Sequence, residues 1–391
     1  MPSHTCSTGI DIDRFIEIRR HLHRYPELSN EEFETTRRIR DWLGEAGVRV
    51  LDYPLATGVI AEVGGIQEGP VIALRADIDA LPVQEETGLS FASTISGKMH
   101  ACGHDFHTAA LIGTAYALKE QESQLKGTVR LIFQPAEEKA KGAKQVIDSG
   151  ALDGVQAIFG MHNKPDLPVG IIGIKEGPLM AAADGFVVEV AGKGSHAAVP
   201  EAGLDPIVTA SHIITALQSV VSRNVSPLKS AVISVTKLHS GTAWNVIPDK
   251  ALFEGTIRTF DDEVRLQVLG RFSQVVEGVA AAFGTTASVR WIEGPPPVNN
   301  DPALAELGFA AAADVGFEAI TPVPSPAGED FAVYQREIPG LFVFMGTAGP
   351  QEWHHPAFDL DEKALPVSIG FFTNLAVRAL EHYRTGREVS L

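Results

Sequence analysis

The chain has 391 residues, 45% of them hydrophobic and 21% charged, with 49 Asp and Glu against 32 Lys and Arg and a formal net charge of −17. That composition is globular and excludes wholesale disorder, while a length beyond roughly 250–300 residues, where single cores divide, predicts two domains. The acidic balance weighs against a nucleic-acid partner, which needs dense basic surface.

Residues 1–20 carry His4, Asp11, Asp13, Arg14 and Glu17 and lack the apolar stretch of a secretory signal. No later run approaches the roughly 20 apolar residues that span a bilayer, so a cytoplasmic protein without membrane contact is expected. Cys6, in a polar leader expected to be mobile, and Cys102 are the only cysteines, which rules out a disulfide framework.

In chain order, Phe15, Ile18 and Leu22, then Phe33, Ile39, Trp42 and Leu43, give two helices divided by Pro26. Strands follow at 48–51, 59–63 and 71–74. A helix capped by Asp105 runs through Leu111, Ile112, Ala115 and Leu118; then come a strand at 128–133, a helix near 144–147 and a strand at 155–160. This alternation predicts an α/β domain with a largely parallel sheet covered on both faces. After Ala181 the order becomes β-α-β-β-α-β, the split pattern of ferredoxin-like modules: Phe186, Val188 and Val190 alternate, Asp205-Pro206 opens a helix, strands lie at 231–238 and 251–259, a helix at 261–283 and a strand at 287–291. Gly294-Pro295-Pro296-Pro297-Val298-Asn299-Asn300 reads as a stiff linker. Two helical runs around a strand at 341–345 complete the chain. The expectation is a discontinuous α/β domain, 1–181 and 295–391, with an α+β domain inserted at 182–294.

Cys102 and His104 stand two residues apart in a loop before a helix, a pairing that suits zinc, cobalt, nickel or manganese, or equally a buried cysteine beside a surface histidine. Glu137-Glu138 follows the strand ending at Phe133, where α/β folds place their sites; one carboxylate can bind a metal while the other moves protons, and a solvated helix start would look the same. His162 and His354-His355-Pro356 lie after further strands, and their joint placement at strand ends favours a shared metal centre. In the inserted domain, His196 in Gly192-Lys193-Gly194-Ser195-His196 can donate to an oxyanion and Arg258 can clamp a carboxylate; by themselves both also fit a turn histidine and a surface arginine.

Together with His21-Leu22-His23-Arg24-Tyr25-Pro26-Glu27-Leu28-Ser29 and Arg75-Ala76-Asp77-Ile78-Asp79-Ala80-Leu81-Pro82, these motifs resemble the M20 metallopeptidases over nearly the whole chain. The likeness is to the amidohydrolase subgroup of aminoacylases, hippurate hydrolases and auxin-conjugate hydrolases. It implies a zinc-exopeptidase-like catalytic domain holding two divalent ions, and an inserted lid that also forms a homodimer or higher homo-oligomer. Carried over by position, Cys102 is the thiolate shared by both ions, and His104, Glu138, His162 and His354 complete the ligands, with His355 left out. Glu137 becomes general base and acid, Asp77 steadies the metal site, His196 polarises the scissile carbonyl, and Asn245 and Arg258 bind the substrate carboxylate. Arg75-Ala76-Asp77 departs from the wider family's His-x-Asp, as the subgroup does.

The implied reaction is hydrolysis of an N-acyl amino acid, with Glu137 activating water and passing the proton to the departing amine. Other readings stay open: an N-acetyl-diaminopimelate-type deacetylase, a small dipeptidase anchored through Glu329-Asp330, a Cys102–His104 nucleophile without metal, or a non-catalytic binding protein. Gly177-Pro178-Leu179-Met180 and Phe331 are candidates for the acyl pocket.

Overall fold

The computed structural model describes residues 11–388, with side chains as far as Thr385; the expectation for Cys6 lies outside the described residues. Two units emerge: one formed by residues up to Gly177 with Asn299–Val323 and the chain from Asp330, the other by Pro178–Val298 with Pro324–Glu329. No helix among the described residues is long and apolar enough to cross a membrane.

In the first unit, Val71–Asp77, Thr128–Gln134, Val155–Lys164 and Gly340–Gly346 are apolar runs buried on both faces, the pattern of strands covered from two sides. They form the parallel centre of an eight-stranded sheet. In spatial order it runs Arg49–Leu51, Val59–Gly64, Thr128–Gln134, Val71–Asp77, Val155–Lys164, Gly340–Gly346, Ile171–Gly173, Glu318–Ile320. The sheet is mixed, because Val59–Gly64 pairs antiparallel with Thr128–Gln134, and Gly340–Gly346 with Ile171–Gly173. The helix His104–Glu120 is buried along nearly its whole length, which explains its apolar circumference. Helices Ile12–Arg24 and Ala364–Glu388 share its core through Phe15, Leu22, Ile369 and Leu375.

Four local expectations change. The buried helix begins at His104 after Gly103, whose φ of 84° is left-handed, so Asp105 is a first-turn residue and not the cap. The strand expected to stop at 160 continues to Lys164 and carries His162 within it. Val298–Asn300, read as linker, is a strand. Ile171–Gly173 and Glu318–Ile320, at three residues each, are too short to show alternation in sequence.

The second unit has the antiparallel sheet order Ala231–Ser240, Lys250–Thr259, Ala182–Ala191, Thr286–Ile292. Helices Pro206–Asn224 and Asp262–Ala282 bury Ile213, Leu217, Val268 and Phe272 with the inward-facing Phe186, Val188 and Val190. Asp205 and Asp261 cap them, accepting from Ile207 N and Val208 N and from Val264 N. The four-stranded sheet and its two helices follow the β-α-β-β-α-β order read from the sequence, and Ser195–His196 with Val246–Ile247 add a separate two-stranded ladder that the sequence did not reveal.

Candidate metal centre

Parallel strands deliver their carboxyl ends to one edge of the sheet, and that edge collects the polar residues. Cys102 Sγ lies 3.4 Å from His162 Nε2. Glu138 Oε1 lies 3.6 Å from His354 Nε2 and 3.9 Å from His104 Nε2. Two triads of donor atoms result, each within 4.8 Å and both using Cys102: one with His104 and His162, the other with Glu138 and His354. Glu137 joins His104 and Glu138 in a third such group. All five residues read as ligands from the sequence, and Glu137, are thus brought together.

Each is aimed by its own backbone environment. His104 Nδ1 faces the Asp79 carbonyl oxygen at 2.9 Å, which turns Nε2 into the site. His162 Nδ1 lies 2.9 Å from the Asn163 carbonyl oxygen, presenting Nε2 to Cys102. His354 is held at φ 65°, a conformation that costs a non-glycine residue about 1–2 kcal/mol, and its N–H donates to Ala101 O at 2.8 Å. The Glu137–Glu138 turn is bracketed by Ala136 and Ala140 at φ 53° and 51°. The Asp79 carboxylate pins that turn by accepting from Glu137 N at 3.2 Å and Glu138 N at 3.1 Å. The Glu137 carboxylate accepts from Asp330 N at 3.4 Å.

His104 Nε2 and Glu138 Oε1 are buried without a hydrogen-bond partner. Orphaned polar atoms of this kind are costly in a protein interior, and here they point at a thiol, two imidazoles and a second carboxylate. A nitrogen, sulfur and carboxylate set fits a divalent transition ion. Burial pushes the Glu138 carboxyl up to about 7, with Asp79 adding to it and His104 opposing. Burial also works against a charge on His104, but the carboxylates of Asp77, Asp79 and Glu138 outweigh it and raise the imidazole to about 10. Burial, helped by His107, holds His162 well below the ordinary histidine range, in the neutral form a ligand requires.

Asp77 sits one layer behind these donors. Its Oδ2 accepts from Arg75 Nη1 at 2.6 Å and its Oδ1 faces His107 Nδ1 at 2.6 Å. Arg75 also donates to Asp330 Oδ1 at 2.8 Å and to Gln134 Oε1 at 2.9 Å. Asp330 further accepts from Gln134 Nε2 at 2.8 Å and from Ala143 N at 2.9 Å, and is fully buried. Both of its oxygens are thus engaged within the protein, which argues against Asp330 as the anchor for a substrate amine. Phe331 is likewise fully buried and packs on Phe342, ring centroids 4.7 Å apart. Sequence reasoning gave no role to Asp79, His107 or Asn163; the one signal for Asp79 was a second acid two residues past Asp77.

In the second unit His196 and Asn245 are neighbours. His196 pairs with Val246 in a two-residue ladder, and Ala197 N donates to Asn245 O at 3.1 Å. Arg258, on Lys250–Thr259, lines a cavity of about 740 Å³ with Arg223, Lys229 and Phe260. Burial draws Arg258 below the usual arginine range against the opposing charge of Asp184.

The sequence profile of the peptidase family M20/M25/M40 matches residues 73–378. The chain belongs to this family. Among its M20 relatives, an N-acetylcysteine deacetylase of Bacillus subtilis (strain 168) is 57% identical over 369 residues, covering 94% of this chain and 97% of that protein. The IAA-amino acid hydrolase ILR1-like 4 of Arabidopsis thaliana is 42% identical over 383 residues, covering 94% and 86%. The crystal structure of a Bacillus subtilis dinuclear metal binding peptidase of the M20 family superposes with a TM-score of 0.86 at 53% identity, covering 95% of this chain and 98% of that one. This M20 protein is an α/β hydrolase of amide bonds.

Proposed function

We propose that the protein is a metal-dependent amidohydrolase that cleaves N-acyl amino acids into a carboxylic acid and a free amino acid. The observation that carries the reading is the convergence of the Cys102, His104, Glu138, His162 and His354 donor atoms, with Glu137 beside them. Two divalent ions, zinc, manganese, cobalt or nickel, would be held there by Cys102, His104, Glu138, His162 and His354. When bound, such ions supply Lewis-acid polarisation of the scissile carbonyl and acidify water. Glu137, fixed through Asp79 and Asp330, takes the proton from the attacking water and returns it to the departing amine, so no external acid or base is needed. His196 donates to the oxyanion, Asn245 and Arg258 hold the α-carboxylate, and Asp77 steadies the metal site.

Residues 182–294 then serve as an inserted lid and dimerisation domain of a cytoplasmic homodimer or larger homo-oligomer. Two relatives named for N-acetylcysteine deacetylation, at 57% and 56% identity, support an acetyl group on a small amino acid as the first substrate to try. The plant relative supports bulkier aryl-acyl conjugates as the second. Engagement of Asp330 removes one proposed amine anchor and so disfavours the dipeptidase reading.

The test is release of free amino acid from a panel of N-acetyl-L-cysteine, other N-acetyl and N-benzoyl amino acids, N-acetyl-diaminopimelate, indole-acetyl conjugates and dipeptides, with metal-loaded and chelated enzyme. Chelator-sensitive cleavage of acylated substrates is expected. Cleavage of dipeptides alone overturns the substrate class, and cleavage blocked by a thiol alkylator but indifferent to the chelator overturns the metal role.

A further inference from the structure

Asn163 follows His162 on Val155–Lys164 and is fully buried. Its main-chain N–H donates to His107 Nε2 at 2.9 Å. Its side-chain amide donates to the Cys102 carbonyl oxygen at 2.6 Å and lies 3.0 Å from the same His107 nitrogen. Its carbonyl and side-chain oxygens both accept the indole N–H of Trp353, each at 3.1 Å. Trp353 precedes His354, and its ring lies 4.4 Å from that of His162, centroid to centroid. One buried side chain thus joins the segments that carry Cys102, His162 and His354.

His107 fixes the other end of this arrangement. A main-chain N–H can only donate, so His107 Nε2 carries no proton, and Nδ1 donates to Asp77 Oδ1 at 2.6 Å. Both ring nitrogens are engaged, so His107 is no ligand even though its donor atoms lie within 4.8 Å of those of Asp77 and His104. Gly103 leaves room for the amide: a Cβ there would come within 2.4 Å of Asn163 Nδ2, and its φ of 84° disfavours any other residue. An asparagine satisfied within one element would be ordinary packing, whereas this one bridges positions 61 and 190 residues away in sequence.

We propose that Asn163, backed by His107, is a positioning residue of the hydrolytic site: it sets the spacing of Cys102, His162 and His354 and thereby the affinity of the site for its ions. The inference rests on the metal-dependent reading above. Only a neutral amide serves. A carboxylate at 163 would set a bare oxygen against the Cys102 carbonyl and against the unprotonated nitrogen of His107. Partners that orient ligands from behind typically matter by roughly 10–100-fold in metal affinity.

The experiment compares the full-length wild type with Asn163→Asp, which keeps the shape and reverses the donor, and with Trp353→Phe, which removes the indole N–H and keeps a ring against His162. Cobalt(II) stoichiometry and affinity are measured by competition with a chelator, the cobalt–thiolate absorption reports on Cys102, and melting of the metal-free proteins reports on folding. Asn163→Asp is expected to bind cobalt roughly 10–100-fold more weakly, with a shifted thiolate band. Its kcat at limiting metal should fall while KM for N-acetyl-L-cysteine is unchanged. Trp353→Phe should show a smaller change of the same kind with the metal-free melting point retained. If Asn163→Asp does not fold, Trp353→Phe decides alone. A folded variant with wild-type affinity and band overturns the positioning role; a wild type that takes up no cobalt overturns the metal centre and this role with it.

Discussion

His196 Nδ1 accepts the main-chain N–H of Ala198 at 3.1 Å. An amide N–H has no lone pair to offer, so Nδ1 is bare, the proton sits on Nε2, and the exposed ring presents a single outward donor. That is the form needed to stabilise an oxyanion. His196→Ala should lower kcat on the order of 10²–10³, by the measure of a removed oxyanion donor, with metal content unchanged. An unaltered kcat would reduce His196 to a turn residue.

Glu137 is 9% exposed and held at both its backbone and its carboxylate. Glu137→Gln keeps an oxygen for the Asp330 N–H and loses the proton acceptor. Turnover should fall by roughly 10²–10⁴, while metal analysis finds the wild-type complement. Near-wild-type turnover would sink the assignment of Glu137 as general base.

Asp79 accepts from Glu137 N, Glu138 N and the Ser29 hydroxyl, the last at 2.6 Å, and all three donors lose their partner in Asp79→Ala. Hydrogen bonds to a charged group contribute about 1.5–3 kcal/mol each, so denaturant unfolding of the metal-free protein should show a loss of at least about that size. Stability equal to wild type would mean the turn holds itself.

His23 is a pH-dependent element of stability. Burial works against its charge, but hydrogen bonds from Nδ1 to Asp105 at 3.0 Å and from Nε2 to Glu85 at 3.2 Å prevail, and the imidazole is pushed up to about 9. With the folded value above the unfolded one of about 6.5, the contribution is complete below that pH and is lost as pH rises towards 9. The difference in unfolding free energy between wild type and His23→Gln should therefore shrink by up to about 3 kcal/mol across that window. A constant difference would show that His23 does not titrate there.

How far the sequence is legible depends on how local each signal is. Phe15, Ile18 and Leu22 announced a buried helix face, and the same stripe contains Arg19 and His23, which meet Asp105 with Arg19 Nε 2.9 Å from Oδ2. The stripe was visible, but nothing near it in sequence identifies a partner more than 80 residues away. The ligands were legible from short local signals: Cys102 and His104 as a close pair ahead of a helix, and Glu138, His162 and His354 in or shortly after runs that read easily as strands. Asn163 was not, since an asparagine in an apolar run has no periodicity of its own, and its worth lies in contacts to Cys102 and Trp353 that only folding creates. Asp79 failed to stand out for the same reason: its partners are two backbone N–H groups, which every sequence offers equally, and a serine hydroxyl 50 residues away.

The strand Gly340–Gly346 lies between Val155–Lys164 and Ile171–Gly173 in the sheet, although it is the last strand in the chain. During synthesis, everything up to Gly346 must leave the ribosome before this position in the sheet can be filled, and His354 emerges later still. Until then the nascent chain carries two incomplete sheet fragments with open edges, the kind of species that invites aggregation and chaperone attention. A ribosome stalled anywhere before residue 340 therefore holds a chain with an unfinished core, and premature truncation anywhere upstream should yield insoluble product rather than a weakened enzyme.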